Sequence, residues 1–153
     1  MDNILRRSPV TRTQYAALPY RIETDGSLSI MLITSRETRR WVIPKGWPMR
    51  GVRPHGVAAR EAYEEAGVEG EIGRRGVGFF YYHKRRKDGS TVPVCVEVFP
   101  LKVSRQHDRW PEQAERTGRW VRPEEAAALV EEESLSGLIR AFGEVFAPQR
   151  WDG

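Results

Sequence analysis

Glu61, Glu64 and Glu65 are the residues of this chain best suited to do chemistry. They are spaced i, i+3 and i+4, so at about 100° per residue a helix puts all three on one face. Carboxylates crowded in this way raise one another's pKa unless a cation neutralises them. Hard oxygen donors of this kind suit Mg²⁺ or Mn²⁺. A solvated acidic helix face would carry the same pattern, and the three residues by themselves leave both readings open. Arg60 flanks the face, within reach of Glu64 one turn on.

The element that must hold them runs from Val57 to Ala66, with Pro54 suited to its first turn and Gly67 to its exit. Ala59, Ala62, Tyr63 and Ala66 fall opposite the acids, a mostly small-residue face fit for close packing. Around this helix the chain reads as strands. Tyr15 to Ile22 and Leu28 to Ser35 flank Asp25-Gly26, a hairpin signal. Trp41 to Ile43 is a short strand ending at Pro44, and Glu71 to Tyr82 is one or two strands interrupted by glycines. Val92 to Val103 and a short Arg119-Trp120-Val121 segment complete the set. Two helices close the chain: Pro123 opens one over 124–131, and Leu135 to Phe146 carries an apolar stripe. Strands on both sides of a central helix, followed by helices, predict a mixed α/β fold rather than a purely parallel sheet.

At 153 residues and 39% hydrophobic, the chain can bury one core and is read as one domain, with residues 1–12 as a loose basic arm. No apolar run reaches bilayer length and the start has no signal-peptide character. Cys95 is the only cysteine, which excludes an internal disulfide and makes a reducing cytoplasm the expected location. The net charge of +4 favours anionic partners. Its basic residues gather on both sides of the acidic helix: Arg36, Arg39, Arg40, Lys45, Arg50 and Arg53 before it, Lys84, Arg85, Arg86 and Lys87 after it. They are either an ordinary solvated surface or receptors for phosphate groups, RNA phosphates included. The aromatics Phe79, Phe80, Tyr81 and Tyr82 are contiguous in a strand, so about half of them should face the core.

The whole stretch from Gly46 to Val68 resembles the Nudix box, G-x5-E-x7-R-E-U-x-E-E-x-G-U with U aliphatic. Gly46, Arg60, Glu61, Glu64, Glu65, Gly67 and Val68 stand in register, and Ala62 is a small substitute for U. Val52 departs, standing where the box has Glu. The resemblance implies a Nudix fold, an α/β/α sandwich on a mixed sheet with a catalytic loop-helix. It implies metal-dependent cleavage of a phosphoanhydride, with Mg²⁺ or Mn²⁺ held by Glu61, Glu65 and the carbonyl of Lys45. Glu64 would be the general base or a ligand to a second ion, and Arg60 would orient the carboxylates.

Four further stretches resemble the diphosphoinositol polyphosphate phosphohydrolases, a branch that also cleaves diadenosine polyphosphates. They are TSR at Thr34–Arg36, RWVIPKG at Arg40–Gly46, EEAGVEG at Glu64–Gly70 and DRWPEQAERTGRW at Asp108–Trp120. By position, Ser35, Arg36, Arg40, Lys45, Arg85 and Arg116 become substrate-binding residues, with Arg12 a weaker one. Lys45 and Trp47 depart from the branch's PGGG and should reshape the pocket floor. The expected partner is a small-molecule polyphosphate. An RNA 5′-end pyrophosphohydrolase is the alternative enzyme, and Val52 keeps open a polyphosphate sensor that does not turn its ligand over. For an active enzyme whose metal site Val52 weakens, a further carboxylate could come from outside the box, with Glu97, Glu112 and Glu115 available.

Overall fold

A computed structural model of the chain describes residues 11–146. The first two strands, β1 (Arg12–Ile22) and β2 (Leu28–Thr34), form the expected hairpin. Its turn is built by Asp25, whose carboxylate accepts from the Ser27 N–H at 2.9 Å, and by Gly26 at φ +84°. The same Asp-Gly-Ser device recurs between β6 (Gly78–Arg85) and β7 (Thr91–Gln106), where Asp88 accepts from the Ser90 N–H and Gly89 sits at φ +88°. A left-handed residue is needed at both turns, and glycine reaches it without a Cβ penalty. Residues 1–10 of the expected arm lie outside the described residues. Arg12 corrects the boundary: it begins β1 and registers with Val94 of β7.

Besides β6 and β7, the remaining strands are β3 (Trp41–Val42), β4 (Lys45–Gly46), β5 (Val68–Ile72) and β8 (Gly118–Val121). All eight belong to one sheet, in the order β3-β2-β1-β7-β5, with β4 on β1, β6 on β7 and β8 on β2. Only β1 and β7 run parallel; every other pairing is antiparallel. Glu71 to Tyr82 is therefore two strands, broken over 73–77.

Helices cover both faces, which is the expected α/β/α sandwich. One face packs against α2 (Pro123–Leu129) and α3 (Glu133–Val145) through Leu18, Ile30, Phe80, Val96, Leu135 and Ile139. The other packs against α1 (Pro54–Glu61) through Ala17, Ile33, Val42, Ala58 and Leu101.

The acidic helix differs from its expected form. Pro54 does open it, but α1 ends at Glu61 and Ala62–Ala66 continue as a π-turn. The Gly67 N–H reaches back to the carbonyls of both Ala62 and Tyr63, and Gly67 stops the helix at φ +69°. Val57, Ala58, Ala62, Glu65 and Ala66 are buried, while Ala59 and Tyr63 are only half-buried. Glu65 stands beside Glu61 as the spacing expected, but on a buried part of that face rather than in solvent.

Candidate functional site

Glu61 lies directly over the backbone of Gly46: a Cβ there would overlap the Glu61 carboxyl. Only glycine lets the β4 strand and the helix approach this closely, and that approach sets Glu61 beside Glu65. Glu65 is 6% exposed. Burial pushes its carboxyl up to about 9, a hydrogen bond shared with Glu61 adds to the rise, and the positive charges of Arg116 and Lys45 oppose it. Glu64, the half-exposed member, is also pushed up, by burial first and then by the charges of Glu61 and Glu112, with Arg60 opposing.

The loop after β7 closes over these acids. The Glu112 N–H donates to the Glu64 carbonyl at 2.9 Å, and the Trp110 indole N–H to the Glu65 carbonyl at 3.3 Å. A Cβ on Gly67 would overlap the Trp110 ring, so Gly67 serves both the left-handed turn and the seat of this tryptophan. Of the three outside carboxylates, Glu112 is the one tied to the acidic turn. Glu115 lies 4.0 Å from Arg36, and Glu97 faces Gly76 in a separate groove.

Arg116 holds the loop. Its Nε and Nη2 donate to one Glu112 oxygen at 3.0 and 2.9 Å, its Nη1 to the Thr34 carbonyl at 3.1 Å, and Nη2 lies 3.5 Å from Glu65. Its donors are thus engaged within the protein, where the sequence predicted a substrate contact. Arg60, expected to orient the carboxylates, instead points Nη1 at Met49 Sδ, 3.5 Å away. It makes no carboxylate hydrogen bond among the described residues, and the guanidinium beside Glu65 is that of Arg116, at 3.5 Å. The reason is direction: Arg60 is on the exposed side of α1, whereas Arg116 enters beside Glu65 from the loop.

The other predicted contacts are distributed around the site. Arg36 is exposed and 3.8 Å from Glu112, so it remains available to an anion. The Ser35 hydroxyl is bonded to Thr38 at 2.6 Å and accepts from the Arg40 N–H at 3.0 Å, which shapes the turn. Arg40 turns away to Glu131 and Glu132 at 3.0 and 3.4 Å. Arg85 stands exposed at the hairpin end of β6.

Lys45 and Gly46 are adjacent in a strand, so their side-chain directions oppose. Gly46 faces Glu61, and the Lys45 side chain enters the other face of the sheet, with Nζ 5.1 Å from the Tyr82 ring centre. Burial lowers the ammonium's pKa against the pull of Glu65 and Glu132. Tyr82 donates to Gln14 at 2.6 Å, and one buried oxygen of Glu132 has no hydrogen-bond partner among the described residues. Gln14, Tyr82 and Glu132 were not anticipated; the strand alternation that aims Lys45 at them depends on β4, a two-residue strand no pattern marked.

Among the described residues no three His, Cys, Asp or Glu side chains converge enough to enclose an ion by themselves. The chemistry of the donors still fits one. Two carboxyl groups held this close must share a proton or repel one another, and a dication held by them would replace that proton. Mg²⁺ is commonly held by one or two carboxylates, with substrate phosphates and water filling the rest of its shell. Glu61, Glu65 and the Lys45 carbonyl are the groups that would hold it. Beside Glu65, Arg116, Trp110, Trp120 and Gln106 line a cavity of about 110 Å³.

Residues 12–142 match the NUDIX domain. The chain belongs to the Nudix family. It is 30% identical over 134 residues to Nudix hydrolase 21, chloroplastic, of Arabidopsis thaliana, covering 86% of this chain and 66% of that protein. It is 31% identical over 118 residues to diphosphoinositol polyphosphate phosphohydrolase 3-alpha of Mus musculus, covering 76% of this chain and 67% of that protein. The chain thus spans about two thirds of the length of the curated relatives it matches. The crystal structure of Caenorhabditis elegans Ap4A hydrolase superposes with a TM-score of 0.64 at 20% identity, covering 90% of this chain and all of that one.

Within the Nudix box, the departure at Val52 has a local packing correlate. A Cβ on Gly56 would stand 3.0 Å from Val52 Cγ1, so the missing side chain at Gly56 makes room for the branched one. The Nudix turn here has an aliphatic contact where the box has a charge.

Proposed function

We propose that this Nudix protein is a metal-dependent pyrophosphohydrolase that cleaves a phosphoanhydride in a nucleoside- or inositol-linked polyphosphate. The observation that carries the reading is the buried Glu65 carboxyl paired with Glu61 over Gly46, an arrangement costly to keep without a cation. A bound Mg²⁺ or Mn²⁺ would supply charge neutralisation for the phosphates and lower the pKa of water. Arg116 keeps Glu65 and Glu112 in place, and Trp110 screens the turn from solvent. Glu64, half-exposed on the same turn, would take the proton of the attacking water at a carboxylate oxygen. Arg36 and the surrounding basic residues support a substrate with several phosphates, as do the names of the relatives. A reducing cytosol is the proposed compartment.

A phosphate-release screen of purified protein tests this, across dinucleoside polyphosphates, inositol pyrophosphates and sugar nucleotides with Mg²⁺ or Mn²⁺. Multiply phosphorylated compounds should be cleaved fastest; a sugar nucleotide cleaved fastest would reject the substrate class. Val52 against Gly56 supports a second reading, a polyphosphate sensor. Saturable binding with no product at saturating Mg²⁺ or Mn²⁺ would establish it. On the enzyme reading, Val52→Glu should lower the Mg²⁺ concentration needed for half-maximal rate.

A further inference from the structure

The aromatic run of β6 divides between the two faces of the sheet. Phe80 and Tyr82 go to the core of α2 and α3. Phe79 and Tyr81 emerge on the opposite face, 51% and 59% exposed, with His83 and Arg85 continuing the same row. At about 3.4 Å per residue this row is about 20 Å long. Among the described residues no helix covers it, because α1 packs over Ala17, Ile33 and Leu101, on strands further into the sheet.

The row ends in a groove. Phe79 registers with Glu97 of β7, and Glu97 lines a trough of about 770 Å³ with Arg53, His55, Arg74 and Arg75, floored by Phe99. Arg53, Arg74 and Arg75 have no carboxylate at ion-pair distance among the described residues. Glu97 is the one acid lining the trough. Three unpaired guanidinium groups gathered at one trough call for an anion with several charges. Two exposed rings in line with them call for flat, weakly hydrated groups. A single-stranded nucleic acid supplies both, since its phosphates follow a positive groove while its bases stack on aromatic side chains.

We propose that the exposed row of β6, with the Arg53–Arg74–Arg75 groove at its end, is a binding surface for single-stranded nucleic acid. It lies outside the Glu61–Glu65 turn and does not depend on the hydrolysis reading. A second copy of this chain is the less suited occupant. A symmetric pairing through this surface would bring Arg53, Arg74, Arg75 and Arg85 of the two copies against one another.

The test is fluorescence anisotropy with a labelled oligouridylate of about twelve nucleotides carrying a 5′-hydroxyl, which offers no phosphoanhydride to cleave. Binding is expected at low salt, with log Kd rising against log salt by about 2 or more for three phosphate contacts. Phe79→Ser with Tyr81→Ser should weaken binding by at least about tenfold. Arg74→Ser with Arg75→Ser should reduce the salt slope by about 1.4. Thermal melting and phosphate release from a dinucleoside polyphosphate, measured on the same variants, read folding and hydrolysis separately. No anisotropy change at low salt, or undiminished affinity in the folded aromatic variant, would overturn the proposal. So would a wild-type dimer in sedimentation that the aromatic substitutions dissociate, which would give the surface to a second copy.

Discussion

At the scale of single residues, the three box carboxylates are not equivalent. Glu65 is enclosed by its own helix and by the loop, Glu61 is pressed over Gly46, and Glu64 keeps access to solvent. Glu64→Gln and Glu65→Gln should each lower turnover by about two orders of magnitude, by loss of a base and of a metal-holding oxygen. Steady-state kinetics at saturating Mg²⁺ checks this, and parent rates in both would return the acids to a solvated-face role. The burial of Glu65 also makes a pH prediction for metal-free protein. Its carboxyl stays protonated in the fold up to about 9 but ionises near the ordinary 4.5 when the chain unfolds. Unfolding then releases a proton, so this contribution is fully present below about pH 4.5 and is lost as pH rises to about 9. One such group sets a slope of about 1.4 kcal/mol per pH unit at most. Denaturant titrations across that window should give a flatter profile for Glu65→Gln than for the parent.

At the scale of elements, the π-turn carries both the buried Glu65 and the half-exposed Glu64. π-turns are rare and gather at functional sites because they shift one side chain off the α-helical row. This one ends at Gly67, where two requirements coincide: φ of +69° and the space taken by the Trp110 ring. Gly67→Ala should therefore cost about 2–4 kcal/mol, the left-handed penalty plus displacement of the ring. A fall in the denaturant midpoint with an unchanged m-value measures it. Trp110 fluorescence should shift in the same variant, since the indole would lose its carbonyl partner in the turn. An unshifted spectrum would separate the loop from the helix exit.

At the scale of the whole molecule, charge is arranged around one acidic centre. Arg36 is an exposed guanidinium beside the loop that covers that centre, held only by long contacts of 3.8 and 4.0 Å to Glu112 and Glu115. Pairs this loose and exposed contribute little to stability, about 1 kcal/mol or less. Their release to a phosphate therefore costs little. Arg36→Glu should raise KM for a substrate with many phosphates by about tenfold, more than for one with a single pyrophosphate, and leave the melting temperature almost unchanged. The excess should shrink as salt is added. Equal changes in KM for both substrates would place Arg36 outside the binding surface.

Much of this was legible in the chain because it depends on local spacing. The Asp-Gly-Ser turns, Pro54 at a helix start, Gly67 at its end and the register of Glu61, Glu64 and Glu65 are all settled by backbone conformations within a few residues. The alternation in Phe79 to Tyr82 likewise required that half the rings leave the core, though it could not say that the other half would stand uncovered. Three features were decided by tertiary structure. Arg116, some fifty residues from Glu65 in sequence, supplies the cation beside Glu65 because the loop after β7 folds back over the helix. Lys45 faces Tyr82 rather than Glu61 because a two-residue strand pairs with Ala16 and fixes its direction. Glu65 is buried because the sheet lies under its side of the turn and Trp110 and Arg116 of a distant loop close over it. Local sequence sets which conformations a segment can take, and contacts between distant segments choose which side chain is deprived of water.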